Sequence, residues 1–273
     1  MYSCHAAGNL VTEERRSGIR CCDTMKQSDT TNTVIVVPAY NEEASIGALL
    51  AEIRQQVPGI GVVVVNDGSE DGTAAVARGA GATVLDLPCN LGVGGAVQTG
   101  FRYAYEKGYQ FVLRCDGDGQ HPPSEVPRLV SAMNTANVDM VIGSRFLGTN
   151  GYKSTFFRNC GITGLAFALS LICRQRVTDP TSGFQMLNRR IMYAFSRSYP
   201  VEYPEPEALA LARRQGYEFL EVPVSFRERR AGQSSIVGWG TLYFALKVFL
   251  ALVVDRTRPV DCRYAKFNME SNP

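Results

Sequence analysis

The stretch Phe111-Val112-Leu113-Arg114-Cys115-Asp116-Gly117-Asp118-Gly119-Gln120-His121 decides the reading of this 273-residue chain. A short apolar run stops at two carboxylates one residue apart, with glycines flanking the second and a Gln two positions beyond it. Strand side chains alternate, so Asp116, Asp118 and Gln120 are expected to converge on one oxygen-rich point at a strand end. Oxygen ligands suit Mg²⁺ or Mn²⁺, which keep some of their waters and also bind substrate phosphates. An acidic βα turn without a metal is the alternative, because Asp and Gly are common turn residues.

Working outward, β-branched apolar runs at 33–38, 61–66, 83–87, 109–115 and 139–143 predict strands. Between them lie helix-period segments. In the first, Ile46, Leu49, Leu50, Ile53 and Val57 mark one apolar face, and further helices are expected after Thr73, Val93 and Ser124. This alternation predicts an α/β fold, a mostly parallel sheet with helices on both faces. Ligands of such sheets bind outside the carboxyl ends of the strands. Three polar clusters fall at those ends: Pro38-Ala39-Tyr40-Asn41-Glu42, Asn66-Asp67-Gly68-Ser69, and residues 116–121. The second half is less regular, with helices expected over 159–173, 189–196 and 205–214 and a strand over 217–224.

Composition narrows the function classes. A net charge of +2 gives no nucleic-acid footprint. Basic residues gather late, from Arg227 through Arg229 and Arg230 to Lys266, which points to phosphate or anionic lipid, or to a solvated surface. The eight cysteines form no C-x-x-C pair, and Cys89, Cys115, Cys160 and Cys173 read as reduced core residues. With only His5 and His121, histidine-rich metal sites are excluded. Gly92-Val93-Gly94-Gly95-Ala96 lacks the third glycine of a dinucleotide fingerprint, so these glycines are expected to let a helix N-terminus approach a ligand or a neighbouring strand.

Residues 1–32 are polar and predict a flexible extension, 33–236 the catalytic domain, and 259–273 a flexible tail. Residues 237–258 begin with an apolar segment, 237–254, that carries Trp239, Tyr243 and one Lys247. It predicts a membrane-interfacial helix, with packing on the domain itself as the alternative.

The ordered set Pro38-Ala39-Tyr40-Asn41-Glu42, Asn66 to Thr73, Asn90-Leu91-Gly92, Asp116 to Pro122 and Gly143-Ser144-Arg145-Phe146 resembles family 2 inverting glycosyltransferases with the GT-A fold. Within them it is similar to the dolichol/polyprenyl-phosphate sugar transferase branch. The later Thr181-Ser182-Gly183-Phe184 and the run from Arg229 to Ser235 match motifs of that branch. The resemblance implies that Pro38, Tyr40 and Glu42 hold the base and ribose of a nucleotide-sugar, with Asp67 close to the base. It implies that Asp116 and Asp118, helped by Gln120, bind the cation on the donor diphosphate. Arg145, with Arg229 as a second candidate, is implied to hold an acceptor phosphate. The branch often carries C-terminal transmembrane helices or recruits proteins that do, so it implies a peripheral enzyme at the cytoplasmic face of a membrane, with room for a membrane partner protein.

Residues 203–207 look more like bacterial polysaccharide or cell-envelope transferases, which keeps a sugar hydroxyl open as acceptor. A hydroxyl needs a general base, and Glu205, Glu207 or Asp179 are the candidates; each also reads as a helix N-terminal charge or turn cap. A non-catalytic nucleotide-sugar-binding protein is the rival of another class.

Overall fold

The computed structural model describes residues 30–148, 156–227 and Lys247, the side chains of 156–160 excepted. Seven strands form one sheet: β1 (Thr33–Ala39), β2 (Gly61–Asn66), β3 (Thr83–Asp86), β4 (Phe111–Arg114), β5 (Met140–Ser144), β6 (Gln185–Asn188) and β7 (Phe219–Pro223). Their order is β3-β2-β1-β4-β6-β5-β7. All neighbours are parallel except β6, which runs antiparallel to both β4 and β5.

Helices α1 (Glu43–Gln56), α2 (Thr73–Gly79) and α4 (Val126–Thr135) cover one face of the sheet. Helices α3 (Gly92–Glu106), α5 (Phe156–Cys173), α6 (Arg189–Arg197) and α7 (Pro204–Arg214) cover the other. A strand covered on both sides has no polar face to show, and β1 reads accordingly as Thr-Val-Ile-Val-Val-Pro-Ala, buried at every position. Val34 and Val36 join the core under α3 and α6, whereas Ile35 and Val37 join the core under α1. The five apolar residues expected on one face of α1 are all buried.

Strand β6 was not foreseen in the sequence. It is four residues long, ends in Gln185 and Asn188, and is held by β4 and β5, which lie far back in the chain. It brings the 178–184 loop to the carboxyl end of β4, beside the site. The cysteine expectation needs one correction: Cys115 and Cys173 are buried, but Cys89 is exposed.

Candidate active site

The loops after β1, β2 and β4 meet at the carboxyl edge of the sheet, where they and the 178–184 loop, α5 and the start of α7 line a cavity of about 680 Å³. Pro38, Tyr40, Glu42, Asp67, Asp116, Asp118, Gln120, Arg145 and Glu205 all face it. Glu207 is not among the residues that line it and lies one residue beyond Pro206, the last residue of α7 on the cavity wall. Arg229 and residues 237–258 fall outside the described residues, Lys247 excepted, which is exposed.

The first two loops are stitched together by short polar side chains. Asn41, with a positive φ of 53°, donates its N–H to Ser69 Oγ at 3.0 Å and accepts the N–H of Glu70 on its Oδ1 at 2.9 Å. The N–H of Glu42 donates to Thr73 Oγ1 at 2.8 Å. Asp67 is buried and accepts the N–H of Leu91 at 2.7 Å, which ties the β2 loop to the entry of α3. At that entry the close approach is to a loop rather than to a strand: a Cβ on Gly94 would come within 2.3 Å of the carbonyl oxygen of Pro200, so only glycine admits that segment.

The alternation argument for the carboxylates is corrected. Strand β4 ends at Arg114; Asp116 follows two residues later in irregular backbone, and Asp118 sits on a turn. What brings them to the cavity is local bonding. Ser45 of α1 donates to the carbonyl of Gly117 at 2.9 Å, and Asp118 Oδ1 accepts the N–H of Gln120 at 3.0 Å. The N–H of Asp116 donates to Nδ1 of His121 at 3.0 Å, which requires the neutral imidazole with its proton on Nε2.

His121 is buried in an aromatic slot, stacked on Phe184 and edge-on to Phe226, each with ring centroids 5.0 Å away. Burial pushes its pKa from 6.5 down to about 4, with Asp116 pulling it back up and Arg114 pressing it lower. Above pH 6.5 the ring is neutral whether folded or unfolded. Between 6.5 and about 4 only the unfolded chain takes up the proton, so stability falls as pH falls through that window. The fall should reach about 3 kcal/mol in metal-free protein. Urea melts in chelator from pH 7.5 to 4 should show it, and His121→Gln should flatten it; an equally steep profile in the variant would remove His121 as the cause.

The sequence profile of the family described as glycosyl transferase family 2 matches residues 34–195. The chain belongs to that family. Its relatives include the undecaprenyl-phosphate mannosyltransferase of Micrococcus luteus, 32% identical over 216 residues, which span 74% of this chain and 86% of that protein. Another is the polyprenol monophosphomannose synthase of Mycolicibacterium smegmatis, 27% identical over 77% of this chain and 82% of that one. Among solved structures, glucosyl-3-phosphoglycerate synthase from Mycobacterium tuberculosis, in complex with Mn²⁺, UDP and glucosyl-3-phosphoglycerate, superposes with a TM-score of 0.64 at 20% identity, covering 86% of this chain and 85% of that one. The fold is thus GT-A and the protein is a glycosyltransferase.

Within this glycosyltransferase, three charged residues stand differently from expectation. Arg145 faces the cavity as half of an ion pair. Its Nε and Nη2 donate to the two oxygens of Asp179 at 2.7 and 2.6 Å, and Nη2 also donates to Thr181. Asp179 is wholly buried, paired with Arg145 and absent from the cavity wall. Glu205 does face the cavity, but it accepts a 2.7 Å bond from Nη2 of Arg114.

Arg114 also lines the cavity and was not singled out from the sequence. It is 1% exposed, at the last position of β4, and bonds both Glu205 and Asp116. Burial alone would weaken its charge; Asp116 and Glu205 more than reverse this and raise its pKa, so it stays cationic. The only local signal was an arginine inside an apolar strand, ahead of two acids.

Proposed function

We propose that this glycosyltransferase moves a sugar, with inversion, from a UDP- or GDP-sugar to a polyprenyl or dolichyl phosphate at the cytoplasmic face of a membrane. Both relatives described above are named for a polyprenyl carrier, which supports the acceptor. Pro38, Tyr40, Glu42 and Asp67 would take the base and ribose at one end of the cavity. The structural neighbour's Mn²⁺ and UDP support a donor of that kind and a divalent ion beside it.

The residues present fit such an ion. Asp116 and Asp118 bring hard carboxylate oxygens to the cavity wall and Gln120 an amide oxygen. Among the described residues no group of three or more His, Cys, Asp or Glu could hold a metal alone. That is the donor set of Mg²⁺ or Mn²⁺, which binds through one or two carboxylates and completes its shell with water and substrate phosphate. When bound, the ion stabilises charge on the departing diphosphate.

The reaction is a single displacement. An oxygen of the acceptor phosphate bonds to the anomeric carbon, and the bond from that carbon to the donor diphosphate breaks, its electron pair leaving with the nucleoside diphosphate. An anionic acceptor carries no proton to be removed. This agrees with Glu205 being tied to Arg114, Asp179 being sealed on Arg145, and Glu207 lying off the cavity.

The observation that carries the lipid acceptor is on α5. Ile162 and Leu165 line the cavity, while the outer side of the same helix leaves Phe167 and Leu171 67% and 64% exposed, with Arg174 and Arg176 exposed beyond its end. Apolar side chains beside cations are what an interfacial helix shows to an anionic bilayer. Among the described residues no helix is long and apolar enough to cross a membrane. Burying each of these side chains in the bilayer contributes about 1.5–3 kcal/mol. Phe167→Glu/Leu171→Glu should therefore lower binding to anionic liposomes at least about tenfold with donor hydrolysis retained. Undiminished cosedimentation of the double variant would refute this reading of α5.

A further inference from the structure

The Arg114–Asp116–Glu205 cluster does more than neutralise charge. Arg114 Nε donates to Asp116 Oδ1 at 3.1 Å, and Nη2 lies 3.1 Å from the same oxygen. The other oxygen, Oδ2, sits against Gly183: a Cβ there would fall 2.7 Å from Oδ2 and 2.9 Å from Arg114 Nη2. The carboxylate of Asp116 is thereby clamped between a buried guanidinium on one oxygen and a bare stretch of backbone against the other. Arg114 is fixed in turn by Glu205 at the N-terminus of α7, 91 residues away in sequence. One carboxylate is thus oriented by strand, loop and helix together.

We propose that Arg114 is a positioning residue for the divalent cation: anchored by Glu205, it holds the Asp116 carboxylate in the one orientation that Gly183 permits, and so sets cation affinity. This rests on the reading of Asp116 and Asp118 as cation ligands. Two guanidinium nitrogens converge on the single oxygen Oδ1, with Glu205 holding the guanidinium in place, so that oxygen is positioned more narrowly than one ammonium nitrogen would position it. Partners of this kind around metal ligands are worth about 10–100-fold in metal affinity. The same geometry gives Glu205 its role, as anchor of Arg114 rather than base.

The test is Mn²⁺ binding in the presence of UDP, read from the EPR signal of free Mn²⁺, on the full-length protein with melting temperatures taken in chelator. Wild type should bind Mn²⁺, and Asp118→Asn should not. Arg114→Lys, which keeps the charge, should raise the Mn²⁺ Kd about tenfold or more. Glu205→Gln should raise it severalfold while the protein melts within a few degrees of wild type, and it serves if the buried Arg114 variant fails to fold. Glu207→Gln removes the same charge from the same helix without touching Arg114 and should leave the Kd unchanged. If Glu205→Gln and Glu207→Gln shift the Kd equally, the effect is bulk charge and the positioning role is wrong. Wild-type affinity in both Arg114→Lys and Glu205→Gln would also overturn it. A wild type that binds no Mn²⁺ with UDP would instead bring down the cation reading beneath it.

Discussion

Asp118→Asn should cut sugar transfer by roughly a thousandfold or more while leaving the melting temperature almost unchanged, a loss that corresponds to about 4 kcal/mol of transition-state stabilisation. The substitution keeps the oxygen that accepts the N–H of Gln120 at 3.0 Å, so the turn retains its bond, and only the negative charge goes. Asp118 is 7% exposed and lines the cavity, so the missing charge is felt where a cation would sit. Asp116→Asn should be as inactive and also less stable, because it removes one of the two carboxylates that neutralise the buried charge of Arg114. Initial rates of nucleoside diphosphate release, with circular dichroism melts on the same samples, separate the two. If Asp118→Asn turned over within tenfold of wild type, the acidic pair would be a structural turn and nothing more.

Breaking the Arg145–Asp179 pair should have the largest effect on stability. Both side chains are buried, and the bidentate contact at 2.6 and 2.7 Å is reinforced by the N–H of Arg145, which donates to Asp179 at 3.0 Å. Removing one partner leaves a buried charge without its counter-ion, a loss of about 3–5 kcal/mol. In a domain of this size that lowers Tm by roughly 10 °C. Arg145→Ala and Asp179→Asn should both show it, and Arg145→Met/Asp179→Leu should recover much of it. The comparison bears on function as well. If Arg145 acts on an acceptor phosphate, Arg145→Ala should lose more activity than Asp179→Asn at equal loss of stability. Equal losses would make the pair purely structural.

What the sequence disclosed followed how local each signal is. Strand β1 and helix α1 were legible because burial on both faces forces a β-branched run and burial on one face forces a 3.6-residue period. The loops were legible because their polar residues bond near neighbours, as Asp118 does to Gln120. The same locality explains the failures. Strand β6 exists only through pairing with β4 and β5, and four residues ending in amides carry no period of their own. Arg114 looked like an ordinary charge until α7 brought Glu205 to it across 91 residues. Glu205, Glu207 and Asp179 were indistinguishable as candidate bases in sequence. The fold separates them into one anchored on the cavity wall, one off it and one sealed in the core. Asp116 and Asp118 do line the cavity, but strand alternation does not put them there, since the strand ends two residues before the first of them.

The central claim is that the sugar goes to a lipid phosphate. Its most direct test supplies UDP- and GDP-linked sugars, each radiolabelled in the sugar, with undecaprenyl phosphate and Mn²⁺, and follows the label into an organic phase. One donor should give a lipid-extractable product in equal amount to the nucleoside diphosphate released, with no product when undecaprenol replaces its phosphate. Label that never enters the lipid phase but moves to the hydroxyl of an added glycan would contradict the account.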